Sequence, residues 1–158
     1  NWKSVVKRAK RKNKRRNGGQ LACRAVGRLR GGGIEREDRA MILYRPVGER
    51  ELELIRESGY RAFPPRLPEQ PIFYPVLNQR YAQEIAERWN TRDERSGYRG
   101  YVTRFEVEDS YISRFESHIV GASWHEEYWI PADELDEFNR HICGRIEVVN
   151  AFGPEADA

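Results

Sequence analysis

Lysine is absent from most of the chain. The last one is Lys14, and from there on arginine alone supplies positive side-chain charge. Cysteine is nearly as scarce: Cys23 and Cys143 stand far apart with no metal-like spacing, so the sequence argues against a disulfide framework and a cysteine zinc site. Three histidines, His118, His125 and His141, fall in separate segments without the close pairing a metal site needs. No apolar stretch is long enough to span a bilayer and no segment has the pattern of a secretory signal. A protein of a reducing compartment, the cytoplasm, is the simplest expectation, and an effector exported by another route has the same composition. Phosphate-binding glycine loops and dinucleotide fingerprints are also missing, and the glycines of "RGGGI" precede no strand–helix pair.

What is present divides in two. Residues 1–40 carry 14 Lys or Arg against three acids, a net of +11, whereas residues 41–158 carry 14 Arg against 22 acids, a net of −8. The basic segment has almost no apolar periodicity and cannot bury enough surface to offset the entropy of ordering, so it is expected to be a disordered tail. Such a tail can grip nucleic acid non-specifically through charge, or be a solvated appendage; with no aromatic residue after Trp2 it offers no stacking platform for single strands. The only methionine, Met41, sits where residue usage changes. This suggests a natural start at Met41, with residues 1–40 an upstream extension, which an intact mass of the native protein including that segment would refute.

Residues 41–152 have the length and apolar content of one domain, leaving 153–158 as a flexible end. "MILYRPV" reads as a strand, and "GERELELIRESG" as a helix with its apolar stripe on Leu52 and Ile55 and its stop at Ser58–Gly59. "FPPRLPEQP", with four prolines in nine residues, excludes helix and central strand. It reads as an ordered loop or linker, the other reading being a polyproline ligand. "PIFYPVLN" is a short strand, and "QRYAQEIAERWN" places Tyr81, Ala82, Ile85, Ala86 and Trp89 on one helical face. "YVTRFEV" alternates as a strand with one wetter face, "FESHIVG", "EYWI" and "RIEVVNAF" read as three more strands, and "PADELDEFNRHI" as a helix before the last of them. Strands that follow one another without helices predict an α+β domain with a mixed or antiparallel sheet rather than a doubly wound parallel one.

Three polar residues interrupt strands that otherwise look buried: Arg45 in "LYRPV", Tyr74 in "IFYPVLN" and Glu127 in "HEEYWIP". A charge in such a place needs a partner or a cleft, and a mutual Arg45–Glu127 ion pair is one way to satisfy both. The series "LYRPV", "FYPVLNQRYAQEIAERW", "YVTRFEV", "EYWIP" resembles the ADP-ribosyltransferase fold, in its diphtheria-toxin and PARP-like branch, and small bacterial proteins labelled as ADP-ribosylation proteins. The resemblance covers most of residues 41–152. It implies a split sheet with flanking helices around an NAD cleft, NAD as substrate, and an unknown macromolecular acceptor, as in toxin-like transferases. By position it gives Arg45, beside Tyr44, the NAD-anchoring role, Tyr74 the nicotinamide platform and Glu127 the catalytic carboxylate. Glu126 takes that last role if the strand register shifts by one. A second stacking tyrosine of the family falls at Ile85, with Tyr81 one turn away. Transfer to water, as an NAD glycohydrolase, and a non-catalytic binding protein with a nucleic-acid-contacting tail are the alternatives. No metal is implied.

Overall fold

The computed structural model describes residues 39–154; the basic segment 1–38, with Cys23, and residues 155–158 lie outside them, and with them the expectations about the tail. In chain order the elements are β1 (Ala40–Val47), α1 (Glu49–Glu57), β2 (Ile72–Phe73), α2 (Gln79–Arg88), β3 (Gly100–Glu108), α3 (Asp109–Ile112), β4 (Ser117–Ile119), β5 (Glu126–Tyr128), β6 (Ile130–Pro131), α4 (Leu135–Arg140) and β7 (Ile142–Phe152). The architecture is α+β, as the order of strands and helices implies. Every strand pairing among the described residues is antiparallel. No helix among them is long and apolar enough to cross a membrane.

β3 is the middle of a three-stranded sheet, between β1 and β7. Simple alternation predicts one wet face for it, yet Gly100–Thr103 are buried on both faces. The reason is α2, whose Ala82 and Ala86 pack with Val102 and Val76 against that second face. Small side chains bring the helix close, and Gly100 takes this to its limit: a Cβ there would lie 2.3 Å from the Ala86 carbonyl oxygen. Asn78 starts α2 by accepting the Arg80 backbone N–H at 2.9 Å, an N-cap bond. α1 buries Leu52 and Ile55 and stops where a left-handed Gly59 turns the chain.

Beyond β1 the sheet narrows to a seam. Tyr44 and Val76 exchange backbone bonds of 2.9 and 2.8 Å, while Leu77 N–H reaches Glu126 O and Tyr128 N–H reaches Pro75 O on the far side. Val76 thus joins β1 to β5, which pairs onward with β4. The same register continues through Ile72 opposite Pro131 and Phe73 opposite Ile130, so segment 72–77 runs along segment 126–131 with a break at Tyr74–Pro75.

The main core lies on the other side of the sheet. Phe63, Phe73, Phe105 and Phe138 meet with tilted or edge-on rings 4.8 to 6.0 Å apart, and full burial of each such side chain contributes roughly 1.5–3 kcal/mol. Phe63 opens the proline tract, so the tract is pinned at its start. Asn139 of α4 reinforces this by accepting the Phe63 N–H at 2.9 Å and donating to its carbonyl at 3.0 Å. At the other end Ala132 N–H bonds to Pro71 O. The tract is an ordered strap across the molecule.

Three features depart from the sequence reading. α3 is a four-residue turn too short to show periodicity, and β7 starts at Ile142, three residues before the predicted strand. Cys143 takes part in a disulfide, against the sequence argument from the wide separation of the cysteines.

Candidate functional site

A cleft of about 850 Å³ opens beside the Val76 seam. Its walls come from β1 and the start of α1, the proline strap, the Tyr74 break, the end of α2 with the loop after it, and β5. Arg45, Tyr74 and Glu127 all line it, although they lie far apart in sequence. Each arrives there for a local reason. Arg45 alternates with Leu43 and Val47 on the buried face of β1; Tyr74 stands where the β2 ladder breaks before Pro75, which has no N–H to donate; Glu127 is the middle residue of β5.

Arg45 and Glu127 do not pair with each other. Arg45 donates through Nε and Nη2 to Glu51 Oε1 at 2.9 and 2.8 Å, and through Nη1 to the Tyr74 carbonyl at 3.4 Å. Its guanidinium lies 4.5 Å from the centre of the Phe73 ring, a cation–π contact that fixes the plane of the fork. The Thr103 hydroxyl bonds to the Arg45 carbonyl at 2.8 Å.

Glu127 is only 9% exposed, and two neutral donors hold its carboxylate. Tyr81 O–H donates to Oε2 at 3.0 Å and Trp129 Nε1–H to Oε1 at 2.9 Å. Both rings are braced by a histidine: His125 stacks on Tyr81 at 4.4 Å and His118 on Trp129 at 3.8 Å. Glu84 extends the first arm by meeting His125 Nε2 at 2.8 Å and accepting from Trp124 Nε1 at 3.2 Å. The carboxylate is therefore oriented from two sides without a cation on it. Burial, then the Glu127 charge, pushes the Tyr74 phenol up to about 12, with Arg66 opposing. The Tyr81 phenol is pushed up by the same causes in the same order, and by its bond to Glu127.

The other candidates separate cleanly. Glu126 points to the opposite face of β5, where it accepts from the Ser117 hydroxyl. Tyr44 does not line the cleft and packs with Val76, Ala82 and Ala86 beneath α2. Tyr81 reaches the site through Glu127 alone, while Ile85, one turn on, is the helix residue that faces the cavity. His141 belongs to a structural latch between Glu108 and Glu137 at 2.8 and 3.1 Å. No group of three or more metal-ligating side chains is assembled among the described residues.

No family model, curated protein or solved structure matches the chain.

Four residues of the site escaped the sequence reading. Glu51 is one of two acids in the first turn of α1 and Arg66 lies inside the proline tract, and neither position carries a local sign of the cleft. Trp129 carried a usable signal, since two residues on from Glu127 it shares a strand face. Asn90 follows the last turn of α2 and gave none. Among the described residues, the buried side-chain polar atoms without a partner are Arg66 Nε and Asn90 Oδ1, and both residues line this cleft. The Asn90 amide orientation follows from its neighbours: its Nδ2 donates to Ser96 Oγ, which donates in turn to Asp93, leaving the oxygen turned away.

Proposed function

We propose that the protein cleaves the nicotinamide–ribose bond of NAD and transfers ADP-ribose to an acceptor. The observation that carries the reading is the Glu127 carboxylate, held by Tyr81 and Trp129, free of any cation partner among the described residues, and sharing one cleft with Tyr74 and Arg45. Loss of nicotinamide leaves positive charge on the ribose. A carboxylate beside the sugar stabilises that charge and accepts a bond from its hydroxyl, as in glycosidic cleavage generally. A carboxylate already neutralised by arginine would be a poor stabiliser, so the diversion of Arg45 to Glu51 favours this role. Tyr74, neutral across the physiological range, supplies an aromatic face for nicotinamide. Arg45 supplies directed donors to the phosphates. The resemblance of "LYRPV", "FYPVLN" and "EYWIP" to the ADP-ribosyltransferase fold assigns the same roles to the same three positions.

The test is nicotinamide release from labelled NAD by the full chain in the presence of a cell extract, with the Glu127→Gln variant alongside. Release by the parent and its loss in the variant is the expected result, and the label's destination, macromolecule or free ADP-ribose, identifies transfer or hydrolysis. Equal release by both proteins, or none by the parent, sinks the reading.

A further inference from the structure

The proline strap carries a cation that its surroundings do not satisfy. Arg66 sits between Pro65 and Pro68, its side chain 13% exposed, and its ion pair with Glu51 is a long one, Nη1 lying 4.0 Å from Oε1. That same oxygen already takes two bonds from Arg45. One carboxylate thus faces two guanidiniums, and Arg66 Nε has no partner at all. Burial and the Arg45 charge, against the smaller pull of Glu51, hold the Arg66 guanidinium down at about 10. It remains charged at neutral pH, at a burial cost that Glu51 and Tyr74 offset only in part.

We propose that Arg66 and Arg45 together form a diphosphate-binding subsite in the cleft, with Arg66 contributing the contacts Glu51 leaves unused. This rests on the NAD reading for its place in the reaction, and it names the group of the substrate that the site grips. A diphosphate fits because its several oxygens and more than one negative charge can serve two forks at once, whereas a single carboxylate, as Glu51 demonstrates, serves only one. The strap explains how the cation is held ready. Its prolines restrict the backbone, Phe63 is clamped by Asn139, and Pro71 is tied to Ala132, so little ordering cost falls due on binding. The unfavourable burial of Arg66 is then the mark of a site built for a ligand, since a buried charge kept for stability alone would have its donors satisfied within the chain, and Arg66 Nε is not.

The experiment titrates inorganic pyrophosphate into the full chain and into its Arg66→Met variant by calorimetry, with acetate as a control and the melting temperature of each protein measured without ligand. The basic segment is common to both proteins, so its non-specific contribution cancels. The expected result is pyrophosphate binding that weakens about tenfold or more in the variant, no comparable effect with acetate, and an unliganded melting temperature that is unchanged or raised. Equal affinities, an equal response to acetate, or a variant that melts lower or fails to fold would each show Arg66 to be a structural cation and overturn the proposal. Pyrophosphate binding lost in the variant, with no NAD turnover by the parent, would remove the transferase reading and leave the subsite standing. NAD turnover with unaltered pyrophosphate binding would do the reverse.

Discussion

Replacing Glu127 in two ways separates what its charge does from what its shape does. The carboxylate has exactly two side-chain bonds to give up, from Tyr81 O–H and Trp129 Nε1–H. Glutamine keeps the shape. Its oxygen can accept from the indole, which only donates, and its amide can donate to the tyrosine hydroxyl, which can also accept. Two charge-assisted bonds become neutral ones, but the cost of keeping an uncompensated carboxylate out of water disappears as well. Folding stability of Glu127→Gln is therefore expected within about 1 kcal/mol of the parent. Alanine removes both acceptors. An orphaned buried donor costs about 1–3 kcal/mol, and since both rings are only half-buried the low end applies twice, giving roughly 2 kcal/mol for Glu127→Ala. Urea denaturation followed by tryptophan fluorescence reads both values. Equal stability of the alanine and glutamine variants would refute the two-donor clamp, whatever either variant does to activity.

Other consequences follow from the same contacts. On the proposed NAD reading, Arg45→Lys should raise the KM about tenfold, because an ammonium cannot reproduce the paired contact with Glu51 or the guanidinium's place over the Phe73 ring; a change below about twofold would count against the arrangement. Asn139→Ala should cost about 2 kcal/mol by stranding both backbone groups of Phe63, and should weaken pyrophosphate binding because the strap that carries Arg66 loosens; an unshifted urea midpoint would sink it. Tyr74, Tyr81, Tyr111 and Tyr128 are all pushed above the ordinary phenol value, burial being the first cause in each. The unfolded chain ionises its tyrosines near the ordinary value of about 10, while the folded one keeps these protonated, so their contribution is complete below about pH 10. It declines as pH rises, for Tyr74 until about 12. Denaturation midpoints and phenolate absorbance measured together across that window should fall and rise in step, and a flat stability profile would contradict it.

Much of the frame was legible because single elements announce themselves. The alternation of Leu43, Arg45 and Val47, the stripe of Leu52 and Ile55 and the glycine stop after Ser58 are local signals, and α1 and β1 follow them. The distinction between Glu127 and Glu126 also rests on local alternation, and the two do face opposite ways. What stayed hidden depends on where the chain turns and which side chains meet in space. Nothing near Arg45 says that Glu51 rather than Glu127 will claim it, because an ion pair is decided by where β1 turns into α1. Nothing in "PPRLP" distinguishes a linker from a cleft wall, since proline fixes the local backbone and leaves the destination to Phe63 and Pro71. The double burial of Val102 was unreadable for a related reason: it depends on a helix that Gly100 admits to close range.

The Val76 seam has a dynamic consequence. On one side of it β3 lies between two long partners, and on the other the β4–β5 hairpin is joined to β1 through the backbone around a single residue. Opening that junction breaks few hydrogen bonds, whereas opening the three-stranded sheet breaks two ladders at once. Amide exchange should therefore show two tiers of protection, with Tyr44, Val76 and Leu77 exchanging ahead of the β3 interior. Because Glu127 belongs to the strand beyond the junction and Arg45 to the strand before it, each such opening would change the separation of the two charges across the cleft, and a ligand touching both would slow exchange at the seam first.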